Sequence, residues 1–247
     1  MLLGACAGAP PRALPAPSDA LWRMIQRDCQ PDARQPACLQ LETAAAQRHV
    51  LVKDHHGRYQ FLLMPLDKVS GIESAVLYQA GAPNYFAAAW QARAFTEQAL
   101  GQPLPRRVAS LALNSPHGRS QHQLHIHIDC LREEIADSLA IQLPAMAQRW
   151  QWLPQPLRGH RYLAMYLPGE QLTANPLDLL AHQVGSTAMG DWSLLVAGTE
   201  DVTRGLGFVL LATRLDVAGG NNASAEELQD HACVAVTGAA GPLERER

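Results

Sequence analysis

Three of the ten histidines lie between residues 122 and 127, in the segment Ser120-Gln-His-Gln-Leu-His-Ile-His-Ile-Asp-Cys130. From Gln123 onward the residue types alternate. Leu124, Ile126 and Ile128 fall on one face of an extended strand, and Gln123, His125, His127 and Asp129 on the other. His125 and His127 therefore stand side by side, roughly 6–7 Å apart along the strand. Two imidazoles so placed support three readings. They can chelate zinc with a third ligand, for which His122 is a candidate. One can attack phosphorus as a neutral nucleophile while its neighbour donates to the phosphate oxygens. Or they form a polar strand face with no chemistry, a reading that the adjacent Gly118-Arg119 loop weakens.

Such a strand needs partners on both sides and helices over its apolar face. Residues 49–54 and 58–64 read as a hairpin around the turn His55-His56-Gly57. Residues 66–82 read as an irregular loop. Asn84 can cap a helix running to Leu100, with Phe86, Trp90 and Ala94 at four-residue spacing and Gly101 as its stop. Strands are expected over 107–113 and 123–130, and a helix over 131–142. The second half reads as strands at 147–153 and 159–166, a helix at 169–183 interrupted by Pro176, and a hairpin of 193–198 with 206–214. A last helix fits 223–231, where Ser224-Ala-Glu-Glu227 has the capping-box form. A short helix is expected within 18–30. The order of elements gives an α+β fold with mainly antiparallel pairing. It divides into a tether (1–17), a half carrying the histidine strand (18–142), a second α+β half packed on it (143–235) and a tail (236–247).

The bulk properties narrow the function. Of 247 residues, 47% are hydrophobic and 17% charged, with a net charge of −3. That excludes a disordered chain and a nucleic-acid binder working through a basic surplus. Lys53 and Lys68 are the only lysines. No apolar run is long enough to span a bilayer. Leu3-Gly4-Ala5-Cys6 has the form of a lipobox, followed by an Ala-, Gly- and Pro-rich tether. A secretory signal also needs a basic start and an apolar stretch, and five residues precede Cys6. Either the true start lies upstream or the match is chance. The other cysteines are Cys29, Cys38, Cys130 and Cys233, an even count that suits two disulfides and an oxidising compartment. A local Cys29–Cys38 bridge would leave Cys130 with Cys233. Other pairings and free buried thiols remain open.

Gln123-Leu-His125-Ile-His127-Ile resembles the histidine-triad motif, in which three histidines alternate with apolar residues. It departs at the first position, where Gln123 stands. Further blocks resemble one branch of that superfamily, the CDP-diacylglycerol pyrophosphatases (CDP-diglyceride hydrolases). They include Tyr59-Gln-Phe-Leu-Leu-Met-Pro65, Pro83-Asn-Tyr-Phe86, Trp90-Gln-Ala-Arg93, Leu113-Asn114-Ser115, Leu157-Arg-Gly-His160 and Gln229-Asp-His231 with Cys233. The similarity covers nearly the whole chain after the tether.

The resemblance implies a histidine-triad-like antiparallel sheet with packed helices. The second half adds strands and helices, and whether it is a degenerate copy of the first stays open. It also implies hydrolysis of the pyrophosphate of CDP-diacylglycerol to CMP and phosphatidate, without metal or cofactor. His125 would attack the CMP-side phosphorus, and His127 and Gln123 would donate to phosphate oxygens. Asn114 and Ser120 would steady the phosphates with loop amides. Arg119, Lys53 and His160 are further candidate phosphate contacts, each with a structural or solvated alternative. His231 reads as a helix-end histidine with a structural role. The partners are then the lipid nucleotide, water and a membrane surface, at the periplasmic side of the inner membrane. The competing classes are a zinc-dependent hydrolase or metal-binding protein built on His125 and His127, and a non-catalytic envelope lipoprotein.

Overall fold

The computed structural model describes residues 18–30, 36–44 and 47–238. The lipobox-like segment, the tether and residues 239–247 of the tail lie outside the described residues. Helix α1 (Ala20–Asp28) leads to strand β1 (Cys38–Glu42), which is not among the strands expected from the sequence. Strands β2 (His49–Lys53) and β3 (Phe61–Pro65) form the expected hairpin. Helices α2 (Tyr85–Ala92) and α3 (Ala94–Leu100) replace the single expected helix. The break has a local cause. The Arg93 guanidinium turns back to donate to the Trp90 carbonyl at 2.6 Å, occupying an acceptor that a continuous helix would give to the next turn. Asn84 caps α2 through a bond from the Ala87 N–H, and Gly101 ends α3 in the left-handed region, both as expected.

Strands β4 (Ala109–Leu113) and β5 (Ile126–Leu131) follow, then helix α4 (Glu133–Gln142). Strand β6 (Gln151–Trp152) is much shorter than the expected 147–153. After β7 (Leu163–Pro168), helix α5 (Pro176–Val184) starts at Pro176. The proline therefore opens the helix instead of interrupting it, as its missing N–H and fixed φ favour, and Asn175 caps it. Strands β8 (Trp192–Asp201) and β9 (Gly205–Arg214) form the expected hairpin. The expected helix over 223–231 is instead a 3₁₀ turn (Ala225–Leu228), strand β10 (Gln229–Asp230) and, after it, helix α6 (Val234–Thr237).

All the strands join one sheet in the order β1-β2-β3-β5-β4-β8-β9-β7-β6, with β10 paired to β5 beyond the end of β3. Every named pairing is antiparallel. The connectivity is mirrored about the β4–β8 seam. On one side it runs β2-β3-β5-β4, on the other β6-β7-β9-β8, each half built as hairpin, helix, hairpin. One face of the sheet carries Leu63, Leu111, Ile126, Ile128, Val196 and Leu210 beneath α2 and α5, forming the main core.

Cross-strand partners share a face, so the register traces a row across the other face. It runs Val52, Leu62, His127, Ala112, Leu195, Leu211, Ala164. At one end α1 covers this face, with Ile25 packed among Val50, Val52 and Leu62. At the other α4 covers it, with Ile135 and Leu139 packed on Leu195, Val209 and Leu211. His127 stands between these two covers, with His125 two residues before it.

Candidate active site

Strand β5 starts at Ile126, three residues later than the alternation suggests. Upstream of it the chain loses its strand partners, because β3 ends at Pro65. Gln123 occupies that gap. Its amide nitrogen donates to the carbonyls of Pro65 and Asp67, both at 3.0 Å, and the side chain is fully buried. Both amide hydrogens are thereby committed to backbone, and the expected donation to phosphate is not available in this arrangement. What Gln123 supplies instead is its own carbonyl, which accepts from His125 Nδ1 at 2.6 Å.

That bond decides the tautomer of His125. With Nδ1 protonated, Nε2 carries the lone pair. Burial, then the neighbouring charge of His127, pushes His125 down to about 4, so the ring is neutral at neutral pH. His127 packs edge-on against it, with ring centroids 4.9 Å apart. Its Nδ1 lies 3.1 Å from Gln60 Nε2 and 3.3 Å from Glu226 Oε1. Its Nε2 is buried with no partner among the described residues.

Asn114 is buried beside this pair but faces protein. Its Nδ2 donates to Glu226 Oε2 at 3.0 Å, and its Oδ1 accepts from the Glu226 N–H at 3.1 Å and the Ser224 hydroxyl at 3.3 Å. Ser224 thus bonds Asn114 and makes no capping bond, which corrects the capping-box reading. Arg119 forms a two-pronged pair with Glu73 at 2.6 and 2.7 Å, and its Nε donates to the Gln121 carbonyl. Its charge is therefore already matched. Lys53 ties the β2–β3 turn, donating to the carbonyls of Asp54 and Gly57. His160 Nδ1 sits 2.9 Å from both oxygens of Glu227, whose Oε1 also accepts from the Tyr162 hydroxyl at 2.5 Å. Ser120 is exposed, and its carbonyl accepts from the Ser18 N–H.

Three residues at the site escaped the sequence analysis: Gln60, Glu226 and the functional face of His231. His231 Nδ1 lies 2.6 Å from Asp129 Oδ2, and its Nε2 lies 3.5 Å from Glu226 Oε1. Asp129 raises the His231 pKa through this bond, against burial. Burial would raise Glu226, but His127, His231, Gln60 and Asn114 together bring it down to about 2. Asp129 itself is fully buried, and burial pushes it up. The strand alternation did hint at Asp129, which follows His127 on the same face. Glu226 is marked by no alternation, and its partners Gln60 and Asn114 lie more than a hundred residues away.

The zinc reading finds no assembled donor set. Among the described residues the one group of three potential metal donors is Asp129, Cys130 and Cys233, and the two sulfurs are bonded to each other. His122, His125 and His127 form no such group. Cys29 pairs with Cys38, so both disulfides follow the even-count pairing. A cavity of about 330 Å³ lined by His49, Asn84 and Tyr85 opens beside α2, on the opposite face of the sheet from His125 and His127, and gathers none of the expected residues. The arrangement on the other face is a neutral imidazole with a free nitrogen, a second imidazole with an unpartnered nitrogen, and a carboxylate behind it. That set suits nucleophilic attack at phosphorus. The family model for CDP-diacylglycerol pyrophosphatase matches residues 16–237, and the chain belongs to that family, hydrolases of the pyrophosphate bond of CDP-diacylglycerol.

Proposed function

We propose that this site hydrolyses CDP-diacylglycerol to CMP and phosphatidate through a cytidylyl intermediate on His125. The observation that carries this is the bond from His125 Nδ1 to the Gln123 carbonyl, which leaves the Nε2 lone pair free on a ring that burial keeps neutral. Nε2 attacks the CMP-side phosphorus. A nitrogen–phosphorus bond forms, the bridging phosphorus–oxygen bond breaks, and phosphatidate leaves with the electron pair. Water then attacks the same phosphorus, breaking the nitrogen–phosphorus bond and releasing CMP. His127 donates from Nε2 to a phosphate oxygen, which gives its unpartnered nitrogen a use. Gln123 serves as the anchor of the carbonyl that orients His125.

The mirrored connectivity supports reading the fold as two histidine-triad-like units in one chain. Only the first keeps chemistry: Leu195 and Leu211 continue the row of His127 into the second half, beneath α4. The lipid half of the substrate calls for a membrane surface, and two disulfides suit an oxidising compartment. Both support a periplasmic enzyme tethered through a lipidated Cys6. No helix among the described residues is long and apolar enough to cross a membrane.

The test is brief incubation with CDP-diacylglycerol labelled in the CMP phosphate. The quench is alkaline, because phosphorus–nitrogen bonds are acid-labile. Label is expected on the peptide containing His125, with neither label nor CMP from His125→Ala. Wild-type CMP release by that variant overturns the reading.

A further inference from the structure

Glu226 is the side chain on which the site converges from four directions. Its Oε1 faces His127 Nδ1 at 3.3 Å, Gln60 Nε2 at 3.2 Å and His231 Nε2 at 3.5 Å, and its Oε2 accepts from Asn114 at 3.0 Å. The carboxylate is fixed by partners from β3's approach, β4, β5 and the segment after β10. The charged and titratable groups facing it and His231 are His127 and Asp129 on β5 and Asp54 in the β2–β3 turn.

We propose that Glu226 is the positioning residue that lets His127 act as a proton carrier in the reaction described above, and that the His231–Asp129 pair holds Glu226 to that task. The proposal rests on the His125 reading and deepens it. Glu226 Oε1 lies 3.3 Å from Nδ1 and accepts from the Gln60 amide at 3.2 Å, so the two nitrogens converge on one acceptor; this places a proton on Nδ1 facing Glu226 and leaves Nε2 as the exchangeable position. In the first step His127 Nε2–H gives its proton to the departing phosphatidate oxygen as the bridging bond breaks. The ring is left neutral, with Nδ1–H still on Glu226. In the second step Nε2 takes a proton from the attacking water as the oxygen–phosphorus bond forms, restoring the cation. Protons balance over the cycle, and no co-reactant beyond water is needed. His231 offsets the Glu226 charge, which would otherwise repel the pyrophosphate. Gly57 packs against His231, where a Cβ would lie 2.6 Å from that of the histidine. The bond to Asp129 then fixes the ring.

The experiment compares two substrates in wild type, Glu226→Gln and His231→Gln. CDP-diacylglycerol has a leaving group that benefits from a proton. Cytidine 5′-(4-nitrophenyl phosphate) releases nitrophenolate, which needs none. With Glu226→Gln, kcat on the lipid is expected to fall about 100-fold, within the range of general acid–base effects, with KM changed less than about threefold. The pre-steady-state burst of nitrophenolate should stay within about threefold of wild type, while the later turnover, limited by water attack, falls about 100-fold. His231→Gln should show the same split at about tenfold. Equal slowing of the burst and of lipid turnover overturns the proposal, since it marks a residue that only shapes the site. So does unchanged turnover in Glu226→Gln. Should that variant fail to fold, Glu226→Asp, whose shorter carboxylate withdraws from Nδ1, takes its place with the same expectations. A wild-type enzyme without a burst, together with full activity in His125→Ala, removes the nucleotidyl-histidine reading itself, a result distinct from the others.

Discussion

His125 and Gln123 illustrate how one hydrogen bond sets a residue's chemistry. Free histidine would be half-protonated near pH 6.5, and a nucleophile with that pKa loses its lone pair in mildly acid conditions. Burial beside His127 moves His125 down to about 4. The acid limb of kcat/KM that reports His125 should therefore lie near pH 4, not near 6.5, as a pH–rate profile of the free enzyme would register. The same shift has a stability consequence. Because the folded pKa is below the unfolded one, the unfolded chain takes up the proton first, and this contribution is lost as pH falls from about 6.5 to about 4. His125→Ala should accordingly flatten the fall in urea midpoint between pH 7 and 5. Gln123→His is the second residue-scale prediction. Imidazole offers one donor toward the Pro65 side where the amide offers two. The cost should be about 1–2 kcal/mol in denaturant unfolding, with no gain in rate. A gain in rate would show instead that the first triad position lacks a catalyst in this fold.

At the scale of elements, the loops on either side of the histidine strand are held by partnerships that compete with ligand binding. The Arg119–Glu73 pair joins the loop before β5 to the loop after β3. Arg119 is almost wholly buried, while Glu73 keeps 29% of its side-chain exposure. Removing the charge with Arg119→Met should therefore cost somewhat less than the 3–5 kcal/mol of a fully buried pair, about 2–3 kcal/mol in urea unfolding. Substrate KM should change little. Asn114→Ala should instead act on turnover, because its bonds hold the Glu226 turn and carry little of the core. A fall in kcat of about tenfold is expected, with about 1–2 kcal/mol lost in urea unfolding from the buried bonds given up. Both effects explain what could be read from the residues alone. Period-two alternation gave the strands β2, β3, β4, β5, β8 and β9, and it gave His125 and His127 their common face, because that information is local. The break between α2 and α3 depends on where one guanidinium turns. The 3₁₀ turn and β10 exist because Asn114 and β5 supply distant partners. For the same reason Arg119 and Lys53 read equally well as phosphate ligands until Glu73 and the turn carbonyls are seen beside them.

Over the whole molecule, the site draws Gln60, Asn114, the β5 histidines, Glu226 and His231 from both halves of the chain. The two disulfides serve different parts of it. Cys29–Cys38 closes a short segment beside α1, whereas Cys130–Cys233 spans 103 residues and fastens the site's last segment next to Asp129. In the chain-entropy model a loop of about 100 residues is worth about 4.7 kcal/mol and a short one roughly 3. The double variant Cys130→Ser/Cys233→Ser should lose more stability than Cys29→Ser/Cys38→Ser and should lose activity at temperatures where it is still folded. Thermal melts read beside CDP-diacylglycerol turnover would check both. The long closure also bears on the order of synthesis. A chain emerging from the ribosome has its histidine strand complete by residue 131, with half of the strands still to come. It has no Glu226, no His231 and no second sulfur for Cys130 until about a hundred further residues are made. If Glu226 and His231 serve the reaction as proposed, the hydrolase stays silent throughout its own translation, and its site matures only when the later part of the chain returns to the strand that was finished first.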